Sequence, residues 1–428
     1  MQNNKLLNFQ ASETTNIALL WKKEDFQNIE NPNKESQEVE KSNETGDECK
    51  IFHPIFTHQI FKDEIIIGYD PLRLNIYFGA GTLYSYIDTN YTLKSRNITN
   101  VEKEYIKLFS KQDPPTANSN EFSLILDDKE DRFKPPGTMV NEYTITDKQT
   151  QQERHFEVYF GRITDSYVQR YHERCQIFAL WYIDGSSYIF TDDSNWDLFF
   201  LFERKLIDGQ KRYGFAGYCT VYNFYHHPSL NRSRISQFLL LPIYQRQGHG
   251  KNLLNSIYNY YKSNDSVYGK VYDMTVEDPC DEFTQLRNYV DLCNILDGGF
   301  FKGVSLDLTA DNKDLLEEIR KKLLITNIQA KTCLEIYLYS KFMNTPSSDP
   351  RFKNYRIQVK KKLYKQFIGD SEMGEIVEKQ TINPENITPT DQKTIEQNKI
   401  KTIIELYKTV EEDYTQTIQS IGIKIQNH

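Results

Sequence analysis

The sequence predicts an α/β protein: a mixed β-sheet flanked by helices, preceded by a small α/β domain and followed by a helical one. Three observations predict it. Between about residues 143 and 277, runs of strand length recur and are interrupted by helical segments. The apolar run Leu239-Leu240-Leu241 passes through Pro242 and a Gln245-x-x-Gly248-x-Gly250 turn straight into an amphipathic helix. Beyond about Gly303 the apolar spacing changes to the helical period.

Taken in order, residues 16–21 are strand-like, and residues 22–48, dominated by Lys, Glu, Asn, Asp and Gln, read as a mobile acidic insertion. A first domain ends near residue 142. It contains strand candidates at 65–67, 74–78 and 122–126, punctuated by Pro114-Pro115 and Pro135-Pro136-Gly137. The central domain spans 143–303. Its expected strands are 157–160, 188–191, 198–205, 215–225, 235–241 and 271–277, with helices at 166–181 and 283–292. In the helix after the glycine turn, Leu253, Leu254, Ile257, Tyr258 and Tyr261 share one face and should pack on the sheet. Residues 304–367 form a helical domain, with helices at 314–322, 328–342 and 354–367. Residues 368–428 are a linker plus a helix at 392–423, which either pairs with a partner helix or docks on the body. No internal repeat is evident.

Composition narrows the function. The 428 residues carry 52 Lys and Arg against 60 Asp and Glu, a net charge of −8, which argues against a nucleic-acid binder driven by phosphate contacts. Six cysteines are scattered without Cys-x-x-Cys or ligand spacing to His, so no metal site is expected. There is no secretory signal pattern and no run near the ~18 apolar residues of a membrane span. A reducing compartment is expected, with no membrane partner.

The glycine turn is the strongest chemical signal. The first N–H groups of a helix lack intrahelical partners and carry the positive end of the dipole, so a short loop there cradles an anion. Gly248 and Gly250 allow a phosphate close to the backbone, while Gln245 and the fixed turn select which phosphorylated molecule fits. The P-loop is excluded, because it needs four residues between its glycines and Lys-Ser/Thr after them. The dinucleotide fingerprint is excluded because Leu253 stands where its third glycine belongs.

The turn resembles the pyrophosphate loop of the GNAT acetyltransferases, which holds acetyl-coenzyme A. Flanking segments narrow the likeness: Thr57-His58-Gln59-Ile60-Phe61, Tyr171-His172-Glu173-Arg174, Gly217 to Tyr225, Arg234-Ile235-Ser236-Gln237-Phe238, Thr275-Val276-Glu277-Asp278-Pro279 and Asn354-Tyr355-Arg356. From about residue 50 to about 365 they are similar, in order, to the catalytic subunit of the type B histone acetyltransferases.

The resemblance implies a site. Glu277 matches the family's general base, with Asp278 beside it. Asp184 stands where the family more usually has Glu, so its shorter side chain suits a water-mediated role. Gln245, Arg246, Gln247, Gly248, His249, Gly250 and Lys251 match the pyrophosphate loop. The main chain of Phe238, Leu239 and Leu240 matches the strand that supplies an oxyanion donor, and Pro279, Phe283 and Arg287 match cofactor-contacting positions. Asp63, Glu64, Trp196, Tyr222, Asn223 and Phe224 match positions lining the acceptor groove.

The chemistry fits these roles. A lysine ammonium, with a reference pKa of ~10.4, must lose a proton before it attacks a thioester, so a carboxylate is needed at the acceptor. Cys280 has no His near it in sequence, so a two-step acyl-cysteine route is not expected. The implied co-substrate is acetyl-CoA, with no metal. The implied acceptor is the tail of newly made histone H4, with histone H3 accompanying it, and the implied partner is a WD-repeat histone chaperone. The cytoplasm and nucleus follow as locations. Two rival readings stand beside this one: a GNAT enzyme with another amine acceptor, and a non-catalytic histone-binding protein. The run Lys360-Lys361-Lys362 reads as a solvated helix face in preference to an import patch.

Overall fold

A computed structural model describes residues 7–30, 50–147, 150–308, 310–368 and 389–422. The chain divides into two compact units, residues 1–270 and 271–428. The sequence-read boundaries at 142 and 303 do not coincide with this cut.

The first unit opens with β1 (Leu7–Gln10), α1 (Ala11–Thr14), β2 (Thr15–Leu20), α2 (Lys23–Glu30), β3 (Ile51–Phe52), β4 (Ile65–Gly79), β5 (Ser85–Lys94), α3 (Val101–Ile106) and α4 (Ser119–Arg132). Strand β4 is the spine of a sheet. Its first half pairs β1 antiparallel, its second half pairs β2 in parallel, and β5 runs antiparallel along it from Phe78 to Tyr69. The two expected strands at 65–67 and 74–78 are therefore one long strand.

Two expectations are corrected here. Residues 122–126 are helical: Asn118 caps α4 through the Glu121 N–H at 2.9 Å, and Phe122, Leu126 and Glu130 are buried at four-residue spacing. Leu124, which made the run look continuously apolar, is 65% exposed. Residues 23–30 are likewise not loose chain, because Phe26 on α2 is fully buried with Ala18, Leu20, Tyr77, Phe122 and Leu126. The rest of the expected insertion, with Cys49, lies outside the described residues.

The unit continues with β6 (Thr138–Thr146), β7 (Glu153–Arg162), α5 (Ser166–Cys175), α6 (Ile177–Tyr182), β8 (Trp196–Ile207), β9 (Gln210–His226), β10 (Leu230–Leu240) and α7 (His249–Ser263). Strands β10, β9, β8, β7 and β6 lie side by side in that order, antiparallel throughout. The expected helix at 166–181 is two helices that break at Gln176. The expected strand at 188–191 is part of a loop between α6 and β8. One side of the sheet buries Leu198, Phe200, Phe202, Phe215 and Tyr218 together with Tyr171 and Phe178 of the helices.

The Tyr171-His172-Glu173-Arg174 segment clamps the two sheets together. Tyr171 donates to the Gly81 carbonyl at 2.7 Å, and Arg174 donates to the Thr82 carbonyl at 2.8 Å and pairs with Asp113 at 2.7 Å. Glu130 accepts from the backbone of Gly81 and Thr82 at 2.9 and 3.1 Å, closing the same turn from the other side. His172 is fully buried, and neither ring nitrogen has a hydrogen-bond partner among the described residues. Desolvation pushes its pKa down to about 3.

The second unit contains β11 (Val271–Val276), α8 (Asp281–Asp297), α9 (Lys313–Leu323), α10 (Asn327–Phe342), α11 (Pro350–Phe367) and α12 (Pro389–Ile421). Its helices gather on the buried Glu335 of α10, which pairs with Lys362 of α11 at 2.8 Å and accepts from Tyr414 of α12 at 3.0 Å. Ile403, Tyr407, Tyr414, Ile418 and Ile421 are buried, so α12 docks within this unit. Lys360 lies over the Tyr407 ring and Arg356 donates to the Ser347 carbonyl, so only part of the basic run faces solvent.

Candidate active site

The loop between β10 and α7 presents main chain at the start of a helix. Residues Pro242–Tyr244 form a single tight turn, Arg246 takes φ +60°, and Gly248 takes φ +92°, a conformation that favours glycine. Gly248 caps α7 without any side-chain hydrogen bond. A Cβ built on Gly248 meets nothing within 4 Å, so the approach to the helix start is open on that side. His249, Gly250 and Lys251 open the helix, where N–H groups have no intrahelical acceptor.

Side chains expected to touch the ligand instead brace this loop. Gln245 Nε2 donates to the Leu240 carbonyl and Gln247 Nε2 to the Ile243 carbonyl, both at 2.9 Å. Gln247 Oε1 accepts from Arg154, which is ion-paired to the buried Glu203 at 2.8 Å, and Glu203 also accepts from Tyr244 at 3.0 Å. The His249 ring points inward, 4.1 Å from the Phe156 ring centroid and 2.9 Å from the Tyr143 hydroxyl. Burial, reinforced by Arg154, pushes its pKa down to about 4. The side chains of Gln245, Gln247 and His249 thus brace the loop from within the protein. Arg154, Glu203 and Tyr143 carried no sequence signal for this role.

Strand β10 delivers the loop. A register shift between Ile235 and Gln237 re-aims its last residues, and Leu239 and Leu240 pair with Tyr218 and Gly217. The Gln237 side chain accepts from Tyr218 at 2.9 Å.

The predicted groove residues of this unit fall into two clusters. Trp196, Tyr222 and Phe224 form an aromatic row with centroid separations of 4.8 and 4.6 Å, and the Arg234 guanidinium lies 4.7 Å over Phe224. Asn223 projects to the other face and is fully buried. Its amide donates to Asp197 at 2.8 Å, and its carbonyl accepts from Asn231 and Ser233 at 2.9 and 2.8 Å. Asn223 thus sits behind the row that Trp196, Tyr222 and Phe224 form. Asp197, also hydrogen-bonded to Tyr261 at 2.8 Å, has its pKa raised by burial.

The second cluster joins the Lys62–Glu64 turn to the end of α6. Glu64 accepts from the Thr57 N–H and hydroxyl at 2.8 and 3.0 Å, which hold its pKa below the ordinary value. Asp63 is exposed with φ +54°. The neighbouring His58 lies 3.6 Å from Asp184, whose side chain is 74% exposed.

Within the second unit, Glu277 follows directly on β11 and is half-buried. Asp278 is exposed with φ +33°, a backbone that costs a non-glycine residue energy. Pro279 precedes Cys280, the N-cap of α8, and Phe283 is buried on its first turn. Arg287 is turned inward, donating to the Met274 carbonyl at 2.9 Å and pairing with Asp291 at 3.4 Å. In this position the guanidinium braces α8 against β11. Among the described residues no group of His, Cys, Asp and Glu converges as a metal site.

An antiparallel sheet with flanking helices, whose glycine turn opens a helix N-terminus, is the arrangement expected above of an α/β acetyltransferase. Residues 7–184 match the family described as the histone acetyl transferase HAT1 N-terminus. Two histone acetyltransferase type B catalytic subunits of Dictyostelium discoideum are 51% and 50% identical, over 98% of each chain. That of Homo sapiens is 33% identical over 74% of this chain and 75% of its own. The chain belongs to the family of type B histone acetyltransferase catalytic subunits, and its activity is histone acetylation. A solved aminoglycoside acetyltransferase from a soil metagenome covers 30% of the chain at a TM-score of 0.21.

Proposed function

We propose that this protein transfers acetyl from acetyl-CoA to lysine ε-amines on the N-terminal tail of newly synthesised histone H4. The observation that carries the co-substrate is the cradle at Gly248: an open approach, a left-handed glycine and a helix start without a side-chain cap. Acetyl-CoA brings a thioester, and its pyrophosphate is the anion such a cradle suits. Backbone N–H groups from Arg246 to Lys251 hold the diphosphate, in a turn that Gln245 closes through its own N–H to the Pro242 carbonyl. Pro279 and Phe283 contact the rest of the cofactor. A main-chain N–H of the Phe238-Leu239-Leu240 segment stabilises the oxyanion.

Glu277 takes the proton from the acceptor ammonium, with Asp278 beside it, and the free amine attacks the thioester directly. Asp184 acts through water. The aromatic row of Trp196, Tyr222 and Phe224 covers the backbone and alkyl stems of a Gly- and Lys-rich tail, while Asp63 and Glu64 meet its charge. Histone H3 accompanies the acceptor, a WD-repeat histone chaperone presents it, and the enzyme works in the cytoplasm and nucleus.

The test is transfer of labelled acetyl from acetyl-CoA to an H4 tail peptide, a peptide with only an α-amine, and a polyamine. Preference for the H4 lysines by at least ten-fold in kcat/KM is expected. Equal or better transfer to either of the other amines overturns the assignment.

A further inference from the structure

We propose that the loop between α6 and β8, residues 183–195, is a second docking element for the basic acceptor tail, with Phe190 as its contact. This rests on the reading that the acceptor is a lysine-rich tail lying on the Trp196–Tyr222–Phe224 row. Phe190 is 84% exposed, more than any other large apolar side chain among those described. Loose chain does not account for it, because the loop is pinned on both sides of Phe190. Before it, the Ser187 carbonyl accepts from Gln237 at 2.8 Å, and the Tyr188 hydroxyl donates to Leu108 at 2.7 Å. After it, the Asp193 N–H donates to the Phe190 carbonyl at 3.1 Å, and the Asp193 carboxylate accepts from Tyr222 of the aromatic row at 2.9 Å. The Asn195 carbonyl accepts the Asn223 N–H at 3.0 Å. The solvent-facing Phe190 ring thus stands on a held loop that is tied to the row through Asp193 and Tyr222.

Charge identifies the occupant. From Cys175 to Glu203 the sequence has no Lys, Arg or His, while the loop itself carries Asp184, Asp192 and Asp193. An apolar partner surface would not match three carboxylates. A cationic extended segment does, its lysine or arginine over the Phe190 ring and its charge met by the carboxylates. The Arg234 cation stacks on Phe224, at the far end of the row from Trp196, and His58 lies against Asp184, so Asp192 and Asp193 are the carboxylates beside Phe190 that meet the cation.

The test compares steady-state kinetics on a full H4 tail peptide and on a minimal peptide of the same acceptor lysine with one residue on each side. Phe190→Ala is expected to raise KM for the full tail about five- to ten-fold with kcat unchanged, to leave the minimal peptide unaffected, and to be rescued by Phe190→Trp. Asp192→Asn is expected to weaken the salt dependence of KM for the full tail only. An unchanged full-tail KM in Phe190→Ala overturns the inference, as does an equal loss on both peptides. Wild type that transfers to neither peptide overturns the acceptor reading itself, an outcome distinguishable from either of these.

Discussion

At the scale of single residues, the loop works through backbone more than side chains. Gln245, Gln247 and His249 each face a protein partner, and the outward surface is main chain around Gly248. Gly248→Ala adds a Cβ into open space, but at φ +92° that side chain is strained and stands where a diphosphate would approach. Its KM for acetyl-CoA is expected to rise about ten-fold with kcat nearly preserved, measured by initial rates at saturating acceptor. A melting temperature within a few degrees of wild type separates this from misfolding; an unchanged KM contradicts the cradle. The glycine spacing made the turn at the start of α7 legible from sequence. The inward turn of His249 was not, because it depends on Phe156 and Tyr143 from distant strands.

At the scale of elements, the aromatic row depends on a polar layer behind it. Asp197 and Asn223 alternate with Trp196 and Tyr222 along β8 and β9, so residues on opposite faces share one backbone. Asp197→Ala removes the acceptor for Asn223 and Tyr261 at a fully buried site, and about 1–3 kcal/mol of stability should be lost. Denaturant unfolding measures that loss. The KM for the tail peptide should rise with it, while the KM for acetyl-CoA should not. Unchanged tail KM would mean that the row holds its shape without this network. The strands themselves were readable from their alternation. The network was less so, since Asn231 and Ser233 lie outside the strand expected at 235–241, and β10 in fact begins at Leu230. The error at α4 has a similar origin: Phe122-Ser123-Leu124-Ile125-Leu126 is apolar enough for a strand, and only the four-residue spacing of the buried positions reveals the helix.

At the scale of the whole molecule, histidines buried without charge tie stability to pH. His172 and His249 have pKa values lowered to about 3 and about 4, against an ordinary value near 6.5. Between those values the unfolded chain binds protons that the folded chain refuses, so stability falls as pH drops below 6.5. Glu130 acts in the opposite sense: burial raises its pKa to about 7, so its contribution is lost as pH rises from about 4.5 to 7. For His172 alone the linkage is on the order of 2 kcal/mol by pH 5. His172→Leu should remove that share of the acid sensitivity, measured as the urea midpoint at pH 5.0 and 6.5. An identical pH slope in the variant would mean that His172 is protonated or hydrated in the folded protein.

The proposed role of Glu277, a carboxylate base for direct attack by lysine, is tested by acetyl transfer to an H4 tail peptide by wild type and Glu277→Gln. Transfer by wild type, with kcat lower by roughly 10²-fold or more in the variant and part of the loss recovered at high pH, is the predicted result. Transfer at the wild-type rate by Glu277→Gln, at neutral pH and saturating substrates, would contradict it.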